Sequence, residues 1–329
     1  MIMTTAIAGV APGRGGNLIL QMLLCSFLWA SAFLFLKIIG TNLSPLALTA
    51  VRGLMGGALL AAWIGLHHQR VLPRGREWKD WIVLGFLQGV VPNTLTAFAL
   101  TQISAGLTSL SQAMTPLIVA VLAQAVFADE RLTARRTVGL LTGFSGMILL
   151  IGPAAFGNAH ASLPGIASML AVAFSYALGT LYVRTVPSPT PIRLAYGQQL
   201  FSGLPTFAAV WAMSGLGAFA GVQDVILPLA LLGVFGTALP IVLYMRILSV
   251  AGPTVGSMNG YFLPPWTILL GFVFLGEALS LREMSATAIV LAGVAIVSAR
   301  AGSVERLLSV FARKLAARRP DGDVPQACG

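Results

Sequence analysis

Amides and aromatic rings set inside apolar runs are the residues of this sequence best able to handle a ligand. Trp29, Gln88, Asn93, Gln112, Tyr176, Tyr196, Gln199, Tyr244, Asn259, Tyr261 and Trp266 form this set. An amide surrounded by hydrocarbon needs a hydrogen-bond partner, which a wet cavity or a substrate supplies. An aromatic face offers apolar contact, or stacks on a ring or a cation. Each type also has a plainer use: an intramembrane Gln can bond a neighbouring helix, and a Trp or Tyr near the end of a span anchors at the interface. Trp78 and Trp81 are expected to be anchors of that kind.

Charged chemistry is scarce. Glu77, Asp80, Asp129, Glu130, Asp224, Glu277, Glu283, Glu305, Asp321 and Asp323 all fall at the ends of apolar runs, between them or in the tail, and His67, His68 and His160 lie between runs. A nucleophile with its base, or a metal with His and carboxylate ligands, needs such groups together. No Gly-rich phosphate loop is present either, so neither an enzyme nor a metal or cofactor is expected. Proton relays and sodium sites place acids or His inside the bundle, and their lack favours uniport or exchange driven by the substrate gradient.

Arg52 is the one deep charge. It lies about 10 Å along its run from Pro45 at 1.5 Å per residue. It can bind a substrate carboxylate or stabilise an outer gate by bonding helix-end carbonyls, and the second role is favoured. Lys37 and Arg184, at run ends, fit a mirrored gate or snorkelling anchors. A dianionic sugar phosphate would want several convergent cations, so a neutral or zwitterionic substrate fits better.

These residues must be positioned by membrane helices. Of 329 residues, 57% are hydrophobic and 9% charged, against roughly 25% charged in an ordinary soluble domain, and the mean hydropathy is +0.88. Apolar windows at 18–39, 45–66, 81–101, 105–127, 136–152, 164–184, 191–213, 225–247, 253–276 and 284–300 have the length that spans a bilayer as helix and lack the alternation of a β-barrel. Ten spans put both termini on one side. Placing them in the cytoplasm leaves only Lys37, Arg52 and Arg282 of the 20 basic residues toward the outside, as the positive-inside rule requires. The net charge of +10 therefore reports orientation, and no nucleic-acid partner is expected. Residues 1–17 form a cytoplasmic segment with no cleavage site of their own, and Cys25 and Cys328 are not expected to pair. In the basic tail 301–329, Val304, Leu307, Leu308, Phe311 and Leu315 recur at helical spacing, which fits an amphipathic helix on the inner surface or a frayed end.

Shifting the chain against itself by about 147 residues reveals an internal repeat. Trp29-Ala30 falls on Tyr176-Ala177, Lys37 on Arg184, Gln112 on Asn259, Glu130 on Glu277, Arg135 on Arg282 and Gly146 on Gly293. With a slip of one, Pro45 meets Pro191, Phe98 meets Tyr244 and Ala105-Gly106 meets Ala251-Gly252. Repeats of five helices over 18–152 and 164–300 enter the membrane from opposite sides. Such inverted repeats place substrate near the midplane and exchange shapes to open either side alternately. Trp29 with Tyr176 and Gln112 with Asn259 are the first choices for the cavity. Small residues at Gly252, Gly256 and Gly260, and pairs such as Gly53/Gly57 and Gly139/Gly143, are expected to let helices approach. Pro92, Pro116, Pro240 and Pro264 are expected hinges.

Taken together, ten spans in two halves, aromatic-Ala in spans one and six, Pro opening spans two and seven with Arg52 following Pro45, and Pro then Glu closing spans four and nine (Pro116 to Glu130, Pro264 to Glu277) resemble the EamA branch of the drug/metabolite transporter superfamily. The resemblance covers about 18–300. It implies an all-α membrane protein, ten transmembrane helices as two inverted repeats around a central cavity, that exports small metabolites including amino acids. The position matching Arg52 is Gln198, so any role of that Arg is not expected to be duplicated. The resulting expectation is an inner-membrane exporter of amino acids or related zwitterions, aromatic or bulky neutral ones first. Its partners are a small-molecule substrate and the lipid bilayer, as monomer or homodimer. The alternatives are a multidrug or cationic-compound exporter of the same fold and a non-transporting receptor or scaffold.

Overall fold

A computed structural model describes residues 15–39, 42–100, 102, 114–130, 132–151, 162–187, 190–275 and 281–298. They build ten successive helical segments, and no strand occurs among the described residues. In chain order these are α1 (Gly15–Ile39), α2 (Pro45–Leu66), α3 (Glu77–Gly85, Phe86–Val90 and Val91–Leu100), α4 (Thr115–Val126), α5 (Ala134–Ile151), α6 (Leu163–Thr185) and α7 (Pro191–Ser214). After a 3-10 segment, Leu216–Val225, comes α8, built from Ile226–Gly233, Val234–Ala238 and the part of Leu239–Ser257 before Gly252. There the backbone turns (φ 78°, ψ 170°), a conformation suited to glycine. The chain beyond it, with the 3-10 turn Met258–Phe262 and the helix Leu263–Leu275, is α9, and α10 is Leu281–Ser298. By length and apolarity Pro45–Leu66, Leu163–Thr185 and the stretch Leu216–Phe262 suffice to cross a membrane, while Leu18–Ala32, Thr115–Val126 and Met284–Val297 are shorter apolar helices.

Local sequence explains where the helices begin. The Ser44 side chain accepts a hydrogen bond from the Ala47 amide with Pro45 in the first turn, and Ser162 accepts one from Gly165. Caps of this kind stabilise a helix by about 1 kcal/mol. Thr190 followed by Pro191 starts α7 without a side-chain cap bond, and Gly215 (φ 68°) ends it.

Inside α3 and α8 the winding loosens to π-helix at Phe86–Val90 and at Val234–Ala238. The two turns are 148 residues apart. A proline follows each by two residues, Pro92 and Pro240. Proline has no N–H for the carbonyl four residues earlier, so the Gln88 and Gly236 carbonyls lose their α-helical donors. π turns of this kind are often found at functional sites.

Packing repeats with the halves exchanged. α1 lies against α8 and α9, as α6 lies against α3 and α4, while α2 packs on α7 and α5 on α10. The contacts recur residue by residue. Gly85 faces Phe201 and Gly233 faces Met55; Gly89 faces Ser202 and Gly56 faces Thr237; Gly179 faces Gln88 and Gly236 faces Ala32. A Cβ on Gly56 would sit 2.9 Å from Thr237 Cγ2, and one on Gly236 would sit 2.8 Å from Ala32 Cβ. Gly139 meets the Gly293 backbone as Gly146 meets that of Ala286. Gly53 likewise meets Gly203, so both glycine pairs expected to permit close approach do so.

Two sequence expectations need correction. Gly252 is a chain turn and Gly260 has nothing within 4 Å of an added Cβ, so with Gly256 they form no continuous ridge. Trp81, expected at the interface, is wholly buried, while Trp78 is 49% exposed. Gly197 is the reason: with no side chain at that one position of α7, the Trp81 indole packs against its backbone, where even a Cβ would collide.

Candidate functional site

A chain of polar and aromatic groups runs through the middle of the bundle. Trp29 of α1 and Tyr244 of α8 meet with ring centroids 5.2 Å apart, within the range for attractive aromatic pairs. The Tyr244 hydroxyl shares a 3.2 Å hydrogen bond with Thr180 of α6. Cys25, one turn before Trp29, donates to the Pro240 carbonyl at 3.2 Å and receives the Asn259 amide at 3.5 Å. Asn259 is fully buried, and its Oδ1 has no hydrogen-bond partner among the described residues. Such an atom is costly to leave unpaired, which suits a place where something else binds.

At the other end of this chain stands Arg52. Its Nε donates to Thr237 Oγ1 at 2.7 Å and its Nη2 to the Gly236 carbonyl at 2.8 Å. The guanidinium thus takes up the carbonyl that Pro240 deprived of its donor. The Tyr176 hydroxyl lies within electrostatic range of it. Among the described residues Arg52 has no carboxylate partner, and Nη1 makes no hydrogen bond.

The remaining residues of the expected set divide. Gln88 and Gln199 are buried beside this chain, Gln88 against Gly179 and Gln199 beside Gly56, and Asn93 is partly exposed on α3. Three others sit in the packing instead. Tyr196 stacks edge-on against Trp81 at 5.1 Å, Trp266 does so against Phe27 at 5.2 Å, and Tyr261 packs on Gly143 with its buried hydroxyl unpartnered. Pro116 is buried at the start of α4. Gln112 and the side chains of Lys37 and Pro264 lie outside the described residues.

Ion pairs that sequence reasoning left unpaired join helix ends at one end of the bundle. Glu130, 5% exposed, holds Arg184 of α6 at 3.0 Å and Arg136 of α5 at 3.2 Å. Arg184 also bonds Asp129 and lies 4.6 Å above the Phe127 ring. The hydrogen bond from Arg184 keeps the exposed Asp129 carboxyl below its ordinary range. A second clamp at helix ends joins α3 and α7, where Arg193 Nε and Nη2 grip the two Glu77 oxygens at 2.7 and 2.9 Å. The Arg193 guanidinium also bonds the Arg70 and Leu72 carbonyls and lies over Trp81. Only charge sign at neighbouring helix ends could have suggested these pairs, and it does not choose among the many basic residues there.

Arg193, by its hydrogen bond, holds the Glu77 carboxyl below the usual carboxylate range. A depressed carboxyl stabilises the fold above its unfolded value, about 4.3 for Glu, and that contribution disappears as pH falls through the native value. Acidifying detergent-solubilised protein below about pH 4 is therefore expected to lower the melting temperature more for the wild type than for Glu77→Gln. Equal slopes would mean that the clamp contributes nothing.

The EamA-like transporter family model matches the chain twice, at residues 17–152 and 163–299. The chain belongs to the EamA-like transporter family. Similar proteins agree. An uncharacterized transporter of Archaeoglobus fulgidus is 25% identical, with 82% of this chain and 94% of that protein covered. A WAT1-related chloroplast protein of Arabidopsis thaliana is 28% identical over 88% of this chain and 72% of its own length. The uncharacterized inner membrane transporter YedA of Escherichia coli is 26% identical over 82% of this chain and 87% of its own. A solved crystal structure superposes with a TM-score of 0.71 at 22% identity, covering 91% of this chain and 99% of the other, a likeness of fold. This EamA-like protein is thus a membrane-embedded transporter of small molecules, not an enzyme.

Proposed function

We propose that this EamA-like transporter exports zwitterionic amino acids, aromatic or bulky neutral ones first, by alternating access across the inner membrane. The observation that carries the reading is Arg52: a cation within the bundle whose Nη1 has no partner and no carboxylate neighbour among the described residues. A substrate carboxylate supplies the missing charge, and a charge-assisted hydrogen bond to it is strong. Trp29, Tyr176 and Tyr244 then offer the faces for a side chain, and the free Asn259 oxygen, at the far end of the polar chain, can accept from a donor on that side chain. An uncompensated arginine repels a cationic compound, which favours amino acids over the multidrug alternative.

The basic excess toward one side supports placing both termini of its ten crossings in the cytoplasm. In that orientation the Glu130–Arg184 end faces the cytoplasm. The exchanged contacts of the two halves support a two-fold relation in the membrane plane. Gradient-driven uniport or exchange fits the lack of an acid in mid-span.

Counterflow in proteoliposomes tests this. Labelled aromatic and branched neutral amino acids are expected to accumulate against unlabelled ones, and Trp29→Ala and Asn259→Ala are expected to reduce that accumulation. Accumulation of cationic drugs with none of any amino acid would overturn the substrate class. Unchanged transport in both variants would overturn the site.

A further inference from the structure

We propose that Arg52 and Gln198 are matched latches on the two π-helical turns, and that passing the grip from one to the other determines which end of the bundle is closed. Three observations meet here. First, the turns at Phe86–Val90 and Val234–Ala238 are repeat mates, and each leaves one carbonyl short of its helical donor, Gln88 or Gly236. Second, each carbonyl is met by a side chain from the other half: Arg52 of α2 reaches Gly236, and Gln198 of α7 reaches Gln88. Arg52 and Gln198 are themselves repeat mates, so the carbonyl contact is duplicated although the residue type is not.

Third, the grips are unequal. Arg52 makes two short bonds, at 2.7 and 2.8 Å. Gln198 Nε2 makes one at 3.4 Å, and both Gln198 Oε1 and Gln88 Nε2 are buried without partners. Latch one is made and latch two is half open, in a structure in which the Glu130–Arg184 ion pair is formed. In a two-state exchange of pseudo-symmetric halves, the opposite state closes latch two, gives those orphaned amide groups partners and lets Arg52 go. A charge-assisted grip is the stronger of the two kinds, so the state with the Glu130–Arg184 pair formed is the favoured one. In this exchange both residues act through the π turns, and Gln198 is a positioning residue.

The inference rests on the alternating-access reading, and its test needs no substrate. Spin labels at Ala134→Cys and Thr185→Cys, in a chain carrying Cys328→Ser, straddle the Glu130–Arg184 clamp, and their distance distribution is read in nanodiscs. Wild type is expected to show mainly the short distance. Arg52→Gln, which copies the residue of the other half, is expected to lower the short-to-long ratio about tenfold. Gln198→Arg is expected to lower it too, by strengthening the second latch, and the double variant R52Q/Q198R most of all. Gln198→Leu is expected to raise it. A role in folding alone moves every variant the same way. Arg52→Gln and Gln198→Leu shifting the ratio in the same direction, or Gln198→Arg leaving it unchanged, would overturn the latch. One fixed distance in all variants, with or without an added amino acid, would instead overturn the exchange on which the latch depends.

Discussion

Replacing Arg52 by methionine is expected to raise the half-saturation concentration for a zwitterionic amino acid about 10- to 100-fold, since a hydrogen bond to a charged group contributes about 1.5–3 kcal/mol. Methionine keeps length and apolar bulk, so the stem of the side chain remains packed. The variant also releases Thr237 and the Gly236 carbonyl, an effect common to all substrates. The carboxylate contribution is separated by comparing each amino acid with its own carboxamide, which lacks the anion. Transport of the carboxamide should fall far less. An equal loss for both would leave Arg52 its bond to α8 and remove it from the substrate site.

Glu130→Gln is expected to produce a large loss of stability. Glu130 is 5% exposed and touches two guanidinium groups, those of Arg184 and Arg136. Removing one partner of a buried pair costs about 3–5 kcal/mol because the remaining charge stays buried without compensation. Here two guanidinium groups lose a shared buried carboxylate, and Arg184 keeps Asp129, which places the cost toward the lower end of that range. Gly252 belongs to the same arrangement: its positive φ turns the chain past Glu130, and a Cβ there would collide with Oε1. Asp129→Asn is the control, since that carboxylate also bonds Arg184 but is exposed, where ion pairs contribute little. Thermal melts in detergent should separate the two variants clearly. A Glu130→Gln melt no lower than that of Asp129→Asn would show the clamp to be solvated.

The helices were legible because hydrocarbon requires them. An apolar run of bilayer length has one structure open to it that satisfies the backbone, and Pro45 and Pro191 mark starts that the structure reproduces. Arg52 was legible through its depth; bonds to helix-end carbonyls were expected of it, and it bonds the Gly236 carbonyl inside α8 instead. Its partner was not foreseen, because a π turn leaves no mark in composition beyond the proline that follows it. The pairing of Trp29 with Tyr244 was hidden for another reason: matching within the repeat joined Trp29 to Tyr176, whereas packing joins residues across the repeat. Trp81 went wrong because its burial is decided by Gly197, more than a hundred positions away. Tyr196 then follows Trp81 into the core. Glu130 and Arg184 were both noticed, but charge alone does not say which cations a given acid will meet.

The exchanged glycine contacts bear on how such a duplicated chain drifts. At one crossing Gly56 yields room to Thr237; at its mate Ser202 fills the room and Gly89 yields it. Bulk is conserved by the crossing, while at each aligned position it has changed hands. Met55 with Gly233 and Phe201 with Gly85 keep the assignment but change its size. Each crossing therefore sets one glycine against one larger side chain, and the two halves differ in which helix supplies it and in its size. Comparing the halves position by position understates their likeness, which lies in the pairs.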